Sequence, residues 1–262
     1  MSSLRDPSNV DCEWGRQGLD ALASSCDVLI IVDVLSFSTA VEIAASRGAR
    51  VLPLPWADGD LGGWSSDGET IVAGARGSGR PSLSPASLLA IGAGTRLVLP
   101  SPNGAELSTR APGKPVLTGC LRNACAVASA AARLGDRIGV VPAGERWPDG
   151  SLRPAFEDWV GAGAILAHLQ AERSPEAEAA VDAFRGARSA LGHWLRRSVS
   201  GRELIGRGFE RDVALAAELD VSACVPRLSE EREYVAWRPE DEAQAGRSSS
   251  TTARSLPLEC GR

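Results

Sequence analysis

The sequence predicts an α/β protein with helices on both faces of a mostly parallel or mixed sheet, an α/β/α layering. Short, unbroken, β-branched apolar runs recur along it, such as Val28-Leu29-Ile30-Ile31-Val32. Runs of that kind are too continuous for strands with one wet face. Each is followed by a polar or glycine-bearing loop and then by a small-residue helical stretch, the order of a βα unit. Composition agrees: 262 residues, 44% hydrophobic and 23% charged with net charge −5, can bury one large core or two small ones.

The unit at 26–50 organises the rest. Its strand, 28–32, ends at Asp33, and after a turn over 34–37 the hydroxyls of Ser38 and Thr39 are placed to cap a helix. That helix carries Val41, Ile43, Ala44 and Ala45 and stops at Gly48. A carboxylate thus stands where a buried strand hands over to a helix, the sheet edge at which α/β proteins bind ligands. Pro53 makes 51–54 an edge strand, 59–68 reads as loop, and 70–74 is a further strand. It enters a cationic loop over 75–85, with Arg76 and Arg80, and a helix over 86–91.

Two similar units follow. A strand over 95–100 leads through Ser101-Pro102-Asn103-Gly104 to a helix over 105–110, and a strand over 116–120 leads through Leu121-Arg122-Asn123 to an alanine-rich helix over 124–134. Free amides at a helix start and an arginine both favour negative charge, so the two loops could converge on a phosphate or carboxylate. Taken singly, Asn103, Gly104 and Asn123 read as turn and capping residues. In the fourth unit a strand over 137–142 and a charged loop with Glu145, Arg146 and Asp149 precede a helix over 154–169. Glu157 and Asp158 fall in its first turn, where acids usually complement the helix dipole, and Gly161 and Gly163 allow close approach to another backbone. With the units side by side, Asp33, Glu145, Glu157 and Asp158 crowd one edge beside several arginines, the inventory of a Mg²⁺ site presenting a phosphate ester to water. The stretches 28–48 and 138–169 echo one another, which leaves two similar lobes and one continuous sheet both open.

Several chemistries are excluded. The two histidines, His168 and His193, stand alone in helical stretches, Lys114 is the only lysine, and neither a GxxxxGK loop nor a GxSxG elbow occurs. The six cysteines are scattered without a CxxC pair and read as free, mostly buried thiols. No apolar run is long enough for a membrane span, and mild acidity argues against a nucleic-acid surface, so a cytoplasmic protein is expected. A long helix over 176–195 is expected to cover the sheet or meet a second subunit, leaving a homodimer open. The stretch 221–226 reads as an edge strand. The domain is expected over 1–228, followed by a tail over 229–262 that is largely disordered past about Arg238.

In order and spacing, DVLSFSTA (33–40), SPNG (101–104), GCLRNA (119–124) and EDWVGAGAI (157–165) resemble the 2-phosphosulfolactate phosphatase family. The resemblance implies an α/β-layered, Mg²⁺-dependent phosphomonoesterase acting on 2-phospho-3-sulfolactate, a coenzyme M precursor. It carries over to Asp33, Asn103, Gly104, Asn123, Glu157 and Asp158. The expected roles are Asp33, Glu157 and Asp158 on the metal, and Glu145 on the attacking water, with Asp33, Glu145 and Glu157 as the catalytic set. Ser38, Thr39, Arg76, Asn103, Gly104, Arg122, Asn123 and Arg146 are expected to hold the phosphorylated acid. A covalent aspartyl-phosphate at Asp33 is the competing route, though the second aspartate of the haloacid dehalogenase phosphatases is Leu35 here. The chain departs from the family at Ser36, usually arginine, at Ala75, usually glutamate, and in a shortened loop over 81–85. Arg76, Arg80 and Arg122 offer replacement charge. The alternative function is an inactive relative that binds a phosphorylated metabolite or a partner protein.

Overall fold

The computed structural model describes residues 9–55, 70–111 and 113–238. The loop expected over 59–68 and the tail beyond Arg238 lie outside the described residues. The elements in order are β1 (Val10–Cys12), α1 (Gly15–Ala23), β2 (Val28–Val32), α2 (Phe37–Ser46), β3 (Arg50–Pro55), β4 (Thr70–Val72), β5 (Arg96–Ser101) and α3 (Gly104–Arg110). There follow β6 (Val116–Thr118), α4 (Ala124–Leu134), β7 (Ile138–Pro142), the short pair β8 (Glu145–Arg146) and β9 (Leu152–Arg153), and α5 (Phe156–Ala167). The chain continues through α6 (Pro175–Ala187), α7 (Leu191–Arg197), α8 (Val199–Gly206), α9 (Glu210–Ala216), β10 (Pro226–Leu228) and β11 (Tyr234–Ala236).

One nine-stranded sheet in the order β1-β7-β2-β6-β10-β11-β3-β5-β4 runs through the protein. Neighbours pair in parallel from β1 to β6 and from β3 to β4, and the antiparallel hairpin β10–β11 joins these two halves. The echoing units are therefore neighbours, β2 beside β7, within a single mixed sheet. Strand β2 shows why its run is unbroken. Val28, Ile30 and Val32 enter the core shared with α4, α5 and α6, while Leu29 and Ile31 enter the core shared with α1, α2 and α3. All five side chains are fully buried, each contributing about 1.5–3 kcal/mol. Gly163 of α5 acts as expected, since a Cβ there would lie 2.0 Å from the carbonyl oxygen of Ala180 in α6, whereas the space at Gly161 is taken by a side chain, a Cβ there lying 2.5 Å from Cγ2 of Val34.

Several elements differ from the sequence expectation. Strand β3 is interior, flanked by β11 and β5. The Arg50 amide donates to Thr95 of the β5 side, so by alternation the nitrogen of Pro53 faces β11, whose pairing with β3 is confined to Tyr234 opposite Val51. Proline is tolerated there because no ladder partner is lost. The stretch at 85–88 is a 3₁₀ turn, and the long helix breaks into α6 and α7 around Arg188–Ala190. The sheet also extends past 228: Tyr234 of β11 is fully buried and donates its hydroxyl to Ser108 at 2.7 Å. Cys12, Cys26, Cys120 and Cys224 are free, whereas Cys125 is disulfide-bonded. No described helix is long and apolar enough to cross a membrane.

Candidate active site

Asp33 ends β2 and lies between two helix starts. Its Oδ1 accepts the amide hydrogen of Phe37, the first residue of α2, at 3.2 Å, and its Oδ2 accepts that of Gly104, the first residue of α3, at 2.9 Å. β5, which leads into α3, is separated from β2 by four strands in the sheet order, so the sheet curls to bring the two ends together. Ser38 and Thr39 are not side-chain caps of α2. The Ser38 hydroxyl accepts the Asp33 amide hydrogen at 2.8 Å and pairs with Thr118, while Thr39 donates to the Val34 carbonyl at 2.8 Å. Both fix the backbone that presents Asp33.

Asp158, in the first turn of α5, accepts amide hydrogens from Val34 at 2.7 Å and Gly144 at 2.9 Å, tying the β2 and β7 loops together. Its neighbour Glu157 is 2% exposed, yet no hydrogen bond from a described residue reaches its carboxylate. Glu145 accepts from the Asn103 side chain at 2.8 Å, so Asn103 links the β5 loop to the β7 loop.

These four carboxyl groups act on one another. Burial, opposed by the two amide bonds and reinforced by Glu157, raises the pKa of Asp33 to about 6. Burial and the charge of Asp33 raise that of Glu145 to about 7, and burial with Asp33 and Glu157 raises Asp158 well above its ordinary value. The guanidiniums that oppose these shifts are Arg76 at Asp33 and Arg153 at Glu145. Arg153 was not singled out from sequence, although it lies directly opposite Glu145 in the β8–β9 pair. Arg76 donates to Ser36 at 2.8 Å and to Asp212 at 2.7 Å, and Asp212 is itself held by Ser84 at 2.6 Å and the Ala86 amide at 3.0 Å. Asp212 also went unnoticed, since nothing local in sequence ties α9 to the loop at 75–85.

The remaining expected residues are held elsewhere. Arg122 donates from Nε to Glu42 at 2.6 Å and from Nη1 to Glu218 and the Leu215 carbonyl, leaving its charge already balanced. Asn123 accepts the Cys120 amide hydrogen and donates to the Cys224 carbonyl, both at 2.9 Å, which is the capping and bracing role. Arg146 is exposed and pairs with Glu106. Among the described residues no group of three or more His, Cys, Asp and Glu side chains is arranged to hold a metal ion by itself.

A family profile described as 2-phosphosulpholactate phosphatase matches residues 19–231, from α1 through β10. The chain belongs to the 2-phosphosulpholactate phosphatase family. It is 35% identical over 200 residues to "2-phosphosulfolactate phosphatase" of Methanothermobacter thermautotrophicus, covering 75% of this chain and 84% of that protein. It is also 32% identical over 136 residues to "Probable 2-phosphosulfolactate phosphatase" of Carboxydothermus hydrogenoformans, covering 51% of this chain and 55% of the relative. In this member of the 2-phosphosulpholactate phosphatase family all four clustered carboxylates fall inside the matched span.

Proposed function

We propose that the chain is a Mg²⁺-dependent phosphomonoesterase that releases phosphate from 2-phospho-3-sulfolactate or a related small phosphorylated acid. The observation that carries this reading is Glu157: a residue only 2% exposed whose carboxylate takes no hydrogen bond from a described residue, beside Asp33, Glu145 and Asp158, each of whose charged forms its own charge disfavours. Such crowding of like charge is costly unless a cation is shared. The donor set fits Mg²⁺, which takes hard oxygen ligands, keeps several of its waters and commonly uses one or two carboxylates, so a closed protein cage is not required. Glu157 would hold it, with Asp33 and Asp158 acting through its waters, and the ion would neutralise phosphoryl oxygens during transfer.

The protein's own groups supply the rest. Glu145, with a pKa of about 7, is poised to take a proton from an attacking water near neutral pH, and Asn103 fixes its orientation. Arg76 and Arg153 are the guanidiniums acting on the cluster and would orient the anionic ends of the substrate. The second reading, an inactive binding relative, is favoured by one observation: both Asp33 oxygens and both Asp158 oxygens already receive amide hydrogens, as in purely structural braces.

Phosphate release should be followed with 2-phosphosulfolactate and a panel of phosphorylated small acids and sugars, in Mg²⁺ and in EDTA, for wild type and Glu157→Gln. Mg²⁺-dependent release that the substitution removes is the expected result. A folded protein that hydrolyses no member of the panel, yet binds one, would establish the inactive reading.

Electrostatics predicts a linked effect on stability. Because Asp33 and Glu145 titrate at about 6 and about 7 when folded, the native state holds more protons than the unfolded chain between the ordinary carboxylate range and neutrality. Stability is therefore present at acid pH and lost as pH rises through these values. In EDTA the melting temperature should fall by several degrees between about pH 5 and pH 8, and Mg²⁺ should recover it mainly at pH 8. Identical melting curves with and without Mg²⁺ at pH 8 would remove the cation from the cluster.

A further inference from the structure

A cleft of about 520 Å³ opens beside α2, lined by Glu42 and Ser46 of that helix, Arg122 after β6, Ser222 and Cys224 before β10, and Trp237 after β11. The antiparallel turn-back of β10 and β11 places these last residues together, and the Trp237 amide donates to Val225 at 2.8 Å. Among the described residues three buried side-chain polar atoms lack a hydrogen-bond partner, and two of them, Glu42 Oε1 and Trp237 Nε1, belong to residues that line this cleft. Native proteins leave few such atoms, because each costs about 1–3 kcal/mol. Glu42 is 1% exposed, and only its Oε2 is engaged, by Arg122 at 2.6 Å.

The two atoms ask for opposite things. Carboxylate Oε1 only accepts, and indole Nε1 only donates. Local charge sharpens the first demand: the Arg122 guanidinium is shared between the carboxylates of Glu42 and Glu218, leaving an excess of negative charge where Oε1 stands. A cationic N–H donor answers that better than a neutral one. At Trp237 the occupant must bring an acceptor, and an ionised one makes the stronger bond. The volume is many times the roughly 30 Å³ share of one water.

We propose that this cleft binds a small amino acid, its ammonium donating to Glu42 Oε1 and its carboxylate accepting from Trp237 Nε1. The site shares no lining residue with the Asp33 cluster and does not depend on the phosphatase reading. It is joined to that cluster through α2, which carries Glu42 and whose first amide is held by Asp33, and through the turn Leu121–Asn123, which carries Arg122 and packs on α5.

Calorimetric titration of the full chain in EDTA tests this, with glycine, L-alanine, L-serine and L-aspartate as probes and propylamine and propionate as single-ended controls. At least one amino acid should bind saturably, more tightly than either control. Glu42→Gln and Trp237→Phe should each weaken it about tenfold or more, the loss of one hydrogen bond with a charged partner. Asp33→Asn should leave it unchanged while abolishing phosphate release, which separates the two readings. Should Glu42→Gln fail to fold, Trp237→Phe, which keeps the ring and removes only the donor, carries the test. No binding by any amino acid up to about 10 mM, far weaker than a millimolar site, overturns the proposal. So does binding that survives both substitutions, equal binding of propionate alone, or a crystal structure grown with the amino acids in which a lone water bridges the two atoms.

Discussion

Asp33→Asn should lower Mg²⁺-dependent phosphate release at least about a hundredfold while leaving the protein folded. The carboxylate contributes charge to the cluster and geometry to two loops, and the substitution removes the first more completely than the second. Both Asp33 oxygens receive amide hydrogens, from Phe37 and Gly104. An asparagine can accept one of them, but its amino group must meet the other, donor against donor, at about 1–3 kcal/mol. Against that loss stands a gain, because neutralising the position relieves desolvation at a buried site and repulsion from Glu157. The two nearly cancel, so circular dichroism and the melting curve should change little. Undiminished phosphate release from this folded variant would take Asp33 out of the chemistry and leave it a brace for α2 and α3.

How this site could be foreseen, and where foresight stopped, follows from what each feature depends on. The strand at 28–32 and the placement of Asp33 at its end are local: an unbroken apolar run must be buried on both faces, and the residue that ends it lies at an edge. Glu157 and Asp158 were legible for the same reason, as acids in the first turn of a helix that follows a buried strand. The order of the short motifs then identified the family. What could not be read was partnership across the sheet. Arg122 and Arg76 look alike in sequence, each an arginine in a polar loop. Only the folded chain shows Arg122 balanced by Glu42 and Glu218, and Arg76 held beside Ser36 by Asp212 from α9, more than a hundred residues away. Strand β11 was hidden differently. Its apolar content is three residues, Tyr234–Ala236, set in a charged stretch. It forms because β3 and β10 offer a place between them and because Tyr234 fills the core behind Phe37. Pro53 misled by a sound rule, since the sheet honours it by leaving that side of β3 short of partners.

Gly104→Ala is the added methyl group from which losses of stability and of activity are expected together, because it falls at the candidate site itself. A Cβ there would lie 2.3 Å from Cδ1 and 2.7 Å from Cγ of Phe37, and 2.8 Å from Oδ2 of Asp33. Neither neighbour can retreat. The Phe37 ring is fully buried and meets Tyr234 edge to face with centroids 6.1 Å apart, and Tyr234 is anchored by its bond to Ser108 in α3 itself. Asp33 is held from behind by the Phe37 amide. The start of α3 must therefore move away from β2, and the Gly104 amide, one of the two hydrogen-bond donors to Asp33, moves with it. Overpacking of this kind costs about 1–3 kcal/mol or more, and for a domain of this size each kcal/mol lowers the melting temperature by about 2–4 °C. Losing an amide that favours the charged form should also raise the Asp33 pKa further, so phosphate release should fall and its acid limb should move to higher pH. Gly186→Ala is the control: it lies in α6 with nothing within 4 Å of the added methyl, and helix propensity alone should stabilise it slightly. If Gly104→Ala melts and turns over like Gly186→Ala, the β5–α3 turn is free to yield. In that case the junction of two helix starts on Asp33 is not what positions the carboxylate.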